Sequence, residues 1–256
     1  MSVFGNYARY YDLLYKDKDY EGEVSYIIGL IKRFGNDTKT ILELGCGTGK
    51  HAVLLSSKGF DVHGVDMSEQ MLESANKRKS NLKEAQVAKL QFSLGDVCNI
   101  KLHKKFDAII SLFHVVSYQN TDEQFNKIFA TAKGHIKPGG IFAFDVWHGP
   151  AVLYDPPVVR EKRLENVEIE VTRIAKPVIH SETNIVDVNY SIFVKDKKTD
   201  KIEEIKETHN MRYFFAPEIE KTAKKHGFEM IHGEEWLTSN KPSEKTWGVC
   251  YVAKKR

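Results

Sequence analysis

The segment ILELGCGTGKHAVLL, residues 41–55, constrains the fold of this chain more than any other stretch. An apolar strand pattern leads into three glycines at alternate positions, Gly45, Gly47 and Gly49, and a helical pattern follows at once. Glycines at a strand-to-helix turn let the backbone approach a ligand closely, and the first helical turn directs free N–H groups at that ligand. The segment therefore predicts an α/β fold with a ligand site at this turn.

Strand and helix patterns alternate around the turn. A helix is predicted before it, and later helices begin at Ser68 and at Thr121, where Gln124 completes a capping box and the KPGG motif (residues 137–140) marks the helix end. Further strands are predicted at residues 60–66, 89–96, 106–113 and 141–147. This order implies right-handed crossovers and a mostly parallel sheet covered on both faces.

The pattern changes after Trp147. Three segments, residues 166–178, 184–195 and 201–215, alternate apolar and polar side chains with no helix between them, which predicts an antiparallel meander. A helix over residues 216–226 and closing strands at 228–236 and 246–253 complete the chain. We expect one domain over residues 1–256, with a seven-stranded sheet and residues 151–214 as an inserted β lid.

Composition excludes several classes of protein. A chain of 256 residues with 41% hydrophobic content can bury one full core, and it contains neither a membrane-spanning run nor a signal peptide, so we expect a cytoplasmic protein with no membrane partner. Cys46, Cys98 and Cys250 are odd in number and widely spaced, which indicates no disulfide framework and no metal site. The net charge of +3 is dispersed, and no nucleic-acid partner is expected.

Two familiar phosphate-binding turns fit the glycines poorly. A P-loop requires GxxxxGK followed by Ser or Thr, but Gly45 and Gly49 are too close together and His51 follows Lys50. A dinucleotide fingerprint is GxGxxG, and here Lys50 stands where the third glycine belongs. This weakens an NAD-dependent oxidoreductase without excluding it, because Asp66 at the end of the second strand suits any ribose.

The wider set of motifs resembles the class I S-adenosylmethionine-dependent methyltransferases. Glu43 opens an ExGxGxG motif, Asp66 ends VHGVD, and Asp96 follows Gly95 at the end of the third strand. The resemblance implies a Rossmann-like sheet whose glycine turn meets the methionine moiety, with Asp66 on the ribose hydroxyls and Asp96 on the adenine amine. The cofactor-binding residues that it implies are Tyr11, Tyr20, Glu43, Gly45, Cys46, Gly47, Gly49, Asp66, Met67, Met71, Asp96, Val97 and Phe113.

Four further segments are similar to nucleotide-sugar N-methyltransferases, which act on the amine of deoxyamino sugars. They are YARYYDLLYKDKDY, SLFHVVSYQNT, FDVWHGP and RYFFAPEIEKTAKKHGF. The resemblance implies a nucleotide-linked amino sugar as the methyl acceptor and a small antiparallel cap. Tyr7, Tyr11 and Tyr20 of the first segment could cover the cofactor or hold an N-terminal helix in place, and the resemblance favours Tyr11 and Tyr20 as cofactor contacts. An O-methyltransferase of a sugar or small metabolite, and a cofactor-binding protein without catalysis, remain alternatives. The DPPV motif at residues 155–158 is interpreted as a loop.

Three side chains are candidates for the chemistry. His114, Tyr118 and His148 follow the fourth and fifth strands, at the sheet edge where open α/β sheets bind ligands. Methylation of an amine requires in-line positioning and one neutralising base, and histidine titrates near neutrality, which favours His114. The other histidines, including His51 and His209, are assigned no role.

Overall fold

The computed structural model describes residues 8–256, without the side chains of residues 8, 9 and 12. Tyr7 lies outside the described residues. Seven strands form the central sheet: β1 (Thr40–Leu44), β2 (Asp61–Asp66), β3 (Leu90–Leu94), β4 (Phe106–Ser111), β5 (Ile136–His148), β10 (Phe228–Glu235) and β11 (Gly248–Lys255). Their spatial order is β3-β2-β1-β4-β5-β11-β10, and only β11 is antiparallel to its neighbours. The predicted seven-stranded, mostly parallel sheet is confirmed.

Helices cover both faces of this sheet. In chain order they are α1 (Ala8–Leu14), α2 (Tyr20–Phe34), α3 (Lys50–Ser57), α4 (Glu69–Ser80), α5 (Glu84–Val87), α6 (Asp122–His135), α7 (Gly149–Tyr154) and α8 (Ala216–Lys225). Side chains at alternate positions of β5 pack on opposite faces of the sheet. Phe142 packs with Phe129 of α6, whereas Ile141 joins the cluster of Ile27 from α2. The sheet is therefore buried on both sides, as its near-continuous apolar strands require.

The inserted cap is a four-stranded antiparallel meander. Its strands are β6 (Arg160–Glu165), β7 (Ile169–His180), β8 (Ile185–Asp196) and β9 (Ile202–Phe214). A short parallel pairing of Trp147 with Tyr213 joins β9 to the carboxyl end of β5. Apolar side chains of β7 and β8 also enclose Tyr10 of α1, so the first helix is fixed against the cap.

The structure corrects two details of the sequence-based prediction. The KPGG segment is part of β5, which begins at Ile136, so α6 ends at His135 and Ile136 is a strand residue. The cap also contains β6, whose sequence REKRLE is almost wholly exposed and carries no apolar alternation. An edge strand of this kind leaves no hydrophobic pattern to detect, because its faces are in water.

Candidate active site

One cavity of about 740 Å³ lies where the carboxyl ends of the central strands face the cap. Its wall includes the glycine turn after β1, the segments that follow β2, β3 and β4, and residues of α1, β8 and β9. This volume suits a small-molecule site. Of the thirteen cofactor-binding residues predicted from the sequence, eleven line this cavity, and Glu43 and Gly49 do not.

The glycine turn is shaped for close approach of a ligand. Gly45, Gly47 and Gly49 have φ values of 79°, 54° and 73°, in the left-handed region that side chains disfavour. A Cβ atom on Gly45 would lie 2.5 Å from the Val115 side chain, and one on Gly49 would lie 2.7 Å from the Phe92 ring, so these glycines serve packing. A Cβ on Gly47 would meet nothing within 4 Å. Gly47 therefore faces open cavity space.

Asp66 ties the glycine turn to the end of β2. Its carboxylate accepts hydrogen bonds from the backbone N–H groups of Gly47, at 2.7 Å, and Ser68, at 3.0 Å. Burial raises the pKa of Asp66, and the two backbone donors act in the opposite direction. A carboxylate offers about four acceptor positions, so the backbone donors do not use all of them and a ligand hydroxyl can also be accepted. Its place on the cavity wall fits the predicted ribose contact.

Glu43 lies beneath the turn rather than on the cavity wall. It is 2% exposed, and its Oε2 atom has no hydrogen-bond partner among the residues that the structure describes. Burial, and then the charge of Asp66, raise its pKa to about 8. His51 Nδ1 is 3.7 Å from Glu43 Oε1, and His51 Nε2 is 2.6 Å from Glu23 Oε2. His51, which the sequence left unassigned, also lines the cavity.

A second carboxylate near the cavity is that of Asp96, for which the sequence predicted a contact with the adenine amine. Asp96 and Val97 both line the cavity. The Asp96 carboxylate accepts from the backbone N–H of Cys98 at 2.8 Å and from Asn99 Nδ2 at 3.1 Å. These contacts orient the carboxylate and leave further acceptor positions on its oxygens.

Aromatic rings from the first segment and from the end of β4 surround the turn. Tyr15 packs edge-on against Phe113, with centroids 4.9 Å apart, and Tyr20 lies 5.0 Å from the His51 ring. Tyr11, Met67 and Met71 also line the cavity. Ring faces and soft thioethers are suitable neighbours for a sulfonium cation.

His114 is held by a buried carboxylate that the sequence did not single out. Phe113 and His114 are consecutive residues at positive φ, 64° and 62°. The backbone N–H of His114 donates to both oxygens of Asp145, at 3.2 and 3.1 Å, and its ring Nδ1 lies 2.6 Å from Asp145 Oδ2. Asp145 is 1% exposed. The sequence does contain one signal for Asp145, since it is the single acidic residue of the otherwise apolar strand FAFDVW. A buried carboxylate requires a polar or charged partner, so this residue indicates a contact of that kind.

Tyr118 contacts a second histidine that the sequence left unassigned. Its hydroxyl is 2.6 Å from His209 Nδ1, on β9 of the cap, and both residues line the cavity. His209 Nε2 lies 3.4 Å from Glu207 Oε2, and Glu207 Oε1 accepts from the Tyr10 hydroxyl at 3.0 Å. Burial raises the pKa of Tyr118 well above its ordinary value.

His148 lies away from the cavity wall. It is 7% exposed, and its Nδ1 is 3.1 Å from the Thr246 carbonyl oxygen. Burial lowers its pKa, and the carbonyl contact acts against that shift. The structure thus brings His114 and Tyr118 together at the cavity and does not bring His148 to it. This position does not support the predicted contact of His148 with an acceptor.

Within residues 8–256, no group of three or more His, Cys, Asp and Glu side chains is arranged to hold a metal ion. None of the helices in the described part of the chain is both long and apolar enough to span a membrane.

Comparison with known proteins matches residues 41–140 to a methyltransferase domain family. The chain is 32% identical over 152 residues to dTDP-3-amino-3,4,6-trideoxy-alpha-D-glucopyranose N,N-dimethyltransferase of Streptomyces venezuelae, an alignment that covers 59% of this chain and 61% of that protein. It is 25% identical over 219 residues to dTDP-3-amino-3,6-dideoxy-alpha-D-glucopyranose N,N-dimethyltransferase of Streptomyces fradiae, covering 85% and 81% of the two chains.

The fold has a close counterpart among solved structures. An S-adenosylmethionine-dependent methyltransferase from Clostridium acetobutylicum superposes with a TM-score of 0.80 at 24% identity, over 96% of each chain. These matches decide between the cofactor classes that the glycine turn left open. The chain thus contains a methyltransferase domain at residues 41–140 and has the fold of S-adenosylmethionine-dependent methyltransferases.

Proposed function

We propose that this enzyme transfers a methyl group from S-adenosylmethionine to the amine of a nucleotide-linked amino sugar. The observation that carries the proposal is the shared cavity, whose wall joins the glycine turn to residues of the cap such as Tyr190 and His209. Donor and acceptor can therefore meet in one enclosed space. The S. venezuelae and S. fradiae relatives act on amines of dTDP-linked sugars, which supports the choice of acceptor.

We assign the cofactor contacts by position. Gly47 gives the methionine moiety access to the backbone, Asp66 accepts from the ribose hydroxyls, and Asp96 accepts from the adenine amine. Tyr11, Tyr20 and Phe113 surround the sulfonium, and S-adenosylmethionine when bound supplies the electrophilic methyl group. Glu43 and Gly49 do not line the cavity, and we assign them indirect roles. Glu43 supports the glycine turn from its buried side, and Gly49 allows close packing at the start of α3.

His114 is assigned to positioning the acceptor. Its backbone N–H donates to the buried carboxylate of Asp145, and its ring Nδ1 lies 2.6 Å from that carboxylate, so the residue has a defined place at the cavity wall. Attack of an amine on a methyl group depends chiefly on in-line geometry, so a fixed side chain at this edge orders the acceptor. On this account His114→Asn lowers turnover by about tenfold to a hundredfold, less than the loss of a general base.

The test pairs two acceptors that differ at one atom. The protein is incubated with S-adenosylmethionine and either a dTDP-linked 3-amino sugar or its 3-hydroxy counterpart, and S-adenosylhomocysteine is quantified by chromatography. The amine should be methylated and the hydroxyl should not. Methylation of only the hydroxyl would establish an O-methyltransferase, and binding without turnover of either compound would indicate a non-catalytic cofactor-binding protein.

We place the reaction in the cytoplasm, with a small molecule as the acceptor and with neither nucleic acid nor a membrane as a partner. The charge pattern of the sequence, dispersed rather than clustered on one face, supports this choice.

A further inference from the structure

A chain of polar side chains leads from the cavity into the cap. Tyr118 follows β4 of the central sheet, whereas His209 and Glu207 are two residues apart on β9 and therefore share one face of that strand. The His209 and Glu207 side chains are 4% and 7% exposed. The link between Tyr118 and His209 therefore joins the catalytic domain and the cap at the wall of the reaction space.

The contacts determine how the protons are arranged. An ionised Glu207 can only accept, so the 3.4 Å contact with His209 Nε2 requires the proton on Nε2. Nδ1 is then a lone-pair acceptor, and Tyr118 must donate its O–H across 2.6 Å. A phenol oxygen can accept a hydrogen bond while its O–H donates, and Tyr118 lines the cavity. An ammonium group in the cavity is such a donor.

We propose that Tyr118, His209 and Glu207 form a proton relay that deprotonates the acceptor ammonium before methyl transfer. This inference rests on the proposed function, because it requires an amine as the acceptor. Tyr118 and His209 are then catalytic residues, and Glu207 positions and stabilises the imidazolium. The sequence had considered His114 for the base, whereas here His114 holds the acceptor.

The relay balances in protons and electrons. One N–H proton of the acceptor passes to the Tyr118 oxygen as the Tyr118 proton passes to His209 Nδ1. The products are a neutral amine, a restored phenol, and an imidazolium beside the Glu207 carboxylate. The amine lone pair then forms the N–C bond while the C–S bond breaks with its electron pair left on sulfur. His209 later returns its proton to solvent.

The surroundings of His209 suit this role. The Tyr190 ring meets His209 edge-on at 5.0 Å, and the Arg173 guanidinium lies 4.9 Å from the Tyr190 centroid. Tyr15, Tyr190 and Glu207 are the charged or titratable neighbours whose fields act on Tyr118, and burial keeps that phenol protonated. Tyr118 thus conducts a proton without becoming a stable phenolate.

The decisive experiment is a pH–rate profile with saturating S-adenosylmethionine and dTDP-3-amino-3,6-dideoxyglucose. His209→Asn preserves an acceptor for the Tyr118 hydroxyl but cannot take a proton. Its turnover should fall by about a hundredfold near neutral pH and recover to within about threefold of wild type by about pH 9.5, where the sugar amine is neutral unaided. Tyr118→Phe should show the same recovery and serves as the second variant.

His63→Asn is the matched control. His63 is a buried histidine whose Nε2 contacts the Ser93 hydroxyl at 2.8 Å, and it does not line the cavity. Its profile should keep the wild-type shape. A loss in His209→Asn that is the same at every pH, or no loss at all, would overturn the relay. Absence of amine methylation by wild type would instead refute the proposed function, and the relay with it.

A second readout needs no turnover. In protein labelled with ¹⁵N-histidine, His209 should show a protonated Nε2 and an unprotonated Nδ1 that accepts a hydrogen bond, and Tyr118→Phe should remove the hydrogen-bond shift at Nδ1. A protonated Nδ1 in the wild-type protein would contradict the proton arrangement directly.

Discussion

At the scale of single residues, Asp66 has two tasks, because one carboxylate holds the glycine turn and faces the cavity. We expect Asp66→Ala to weaken S-adenosylmethionine binding by about 1.5 to 3 kcal/mol, the cost of losing charge-assisted hydrogen bonds. Titration calorimetry measures this. Asp107→Ala is the control, since Asp107 accepts from the backbone N–H groups of Lys39 and Thr40 and does not line the cavity. Unchanged affinity in a folded Asp66→Ala variant would refute the ribose assignment.

Glu43 gives the protein a predictable dependence of stability on pH. Its pKa rises on folding from 4.5 to about 8, so the folded state holds a proton that the unfolded state has released between these values. The wild-type free energy of unfolding therefore falls as pH rises through this window, by at most about 1.4 kcal/mol per pH unit from this group.

Glu43→Gln removes this titration while keeping the size of the side chain. The stability of the variant relative to wild type should increase steadily from about pH 4.5 to about pH 8 and then level off. Urea unfolding of the cofactor-free protein at several pH values tests it. A stability difference independent of pH would mean that Glu43 is ionised in the folded protein.

Residues differed in how well the sequence revealed them. Asp66 could be found because it ends a strand at a fixed place after the glycine turn. Asp145 lacked such a spacing signal. It lies inside an apolar strand, and its partner is the backbone N–H of His114, which is far from it in the sequence. His209 depends on the register of β9 against β8 and on the placement of the cap over Tyr118. Tertiary packing creates that contact, and no local pattern encodes it.

At the scale of elements, the central sheet and the cap contribute different residues to the cavity. The glycine turn, Asp66 and Asp96 belong to the sheet, whereas Tyr190 and His209 belong to the cap. Replacing residues 159–209 by a short Gly-Ser linker should abolish methyl transfer and retain S-adenosylmethionine binding. Binding should be weaker than in wild type, because α1 loses the apolar surface that covers Tyr10. Complete loss of binding in a folded variant would show that the cap also belongs to the cofactor site.

The capping box of α6 allows a separate test of local structure. The Thr121 hydroxyl accepts from the Gln124 backbone N–H at 3.1 Å, as the sequence predicted. Thr121→Ala should lower the free energy of unfolding by about 1 kcal/mol. Thr183→Ala, in an exposed turn, should change it by less than about 0.5 kcal/mol. Equal effects of the two substitutions would show that the capping box at Thr121 does not stabilise α6.

Elements with strong periodicity were the most predictable. The apolar strands of the sheet and the amphipathic α6 and α8 lie close to their predicted bounds. The start of β5 was missed because Pro138 and two glycines resemble a helix end, yet Ile136 pairs with Phe106 of β4. Sheet pairing with a neighbour overrides the local preference of these residues.

At the scale of the whole molecule, the proposed active site lies where three parts of the described chain meet. The central sheet, the first helix and the cap each contribute to one cavity, and their contacts with Tyr10 and Tyr118 cross between the parts. The sequence could predict the sheet and the existence of a cap. It could not predict which cap residues face the acceptor, because that depends on how the meander packs.

The most direct test of the central claim follows the methyl group itself. The protein is supplied with S-adenosylmethionine carrying a ¹³C-methyl group and with a dTDP-linked amino sugar that also bears free hydroxyls, and the product is examined by ¹³C NMR. The account predicts label in an N-methyl group, and less of that label in an Asp66→Ala reaction at limiting cofactor. Label in an O-methyl group, with the amine left unmodified, would contradict it.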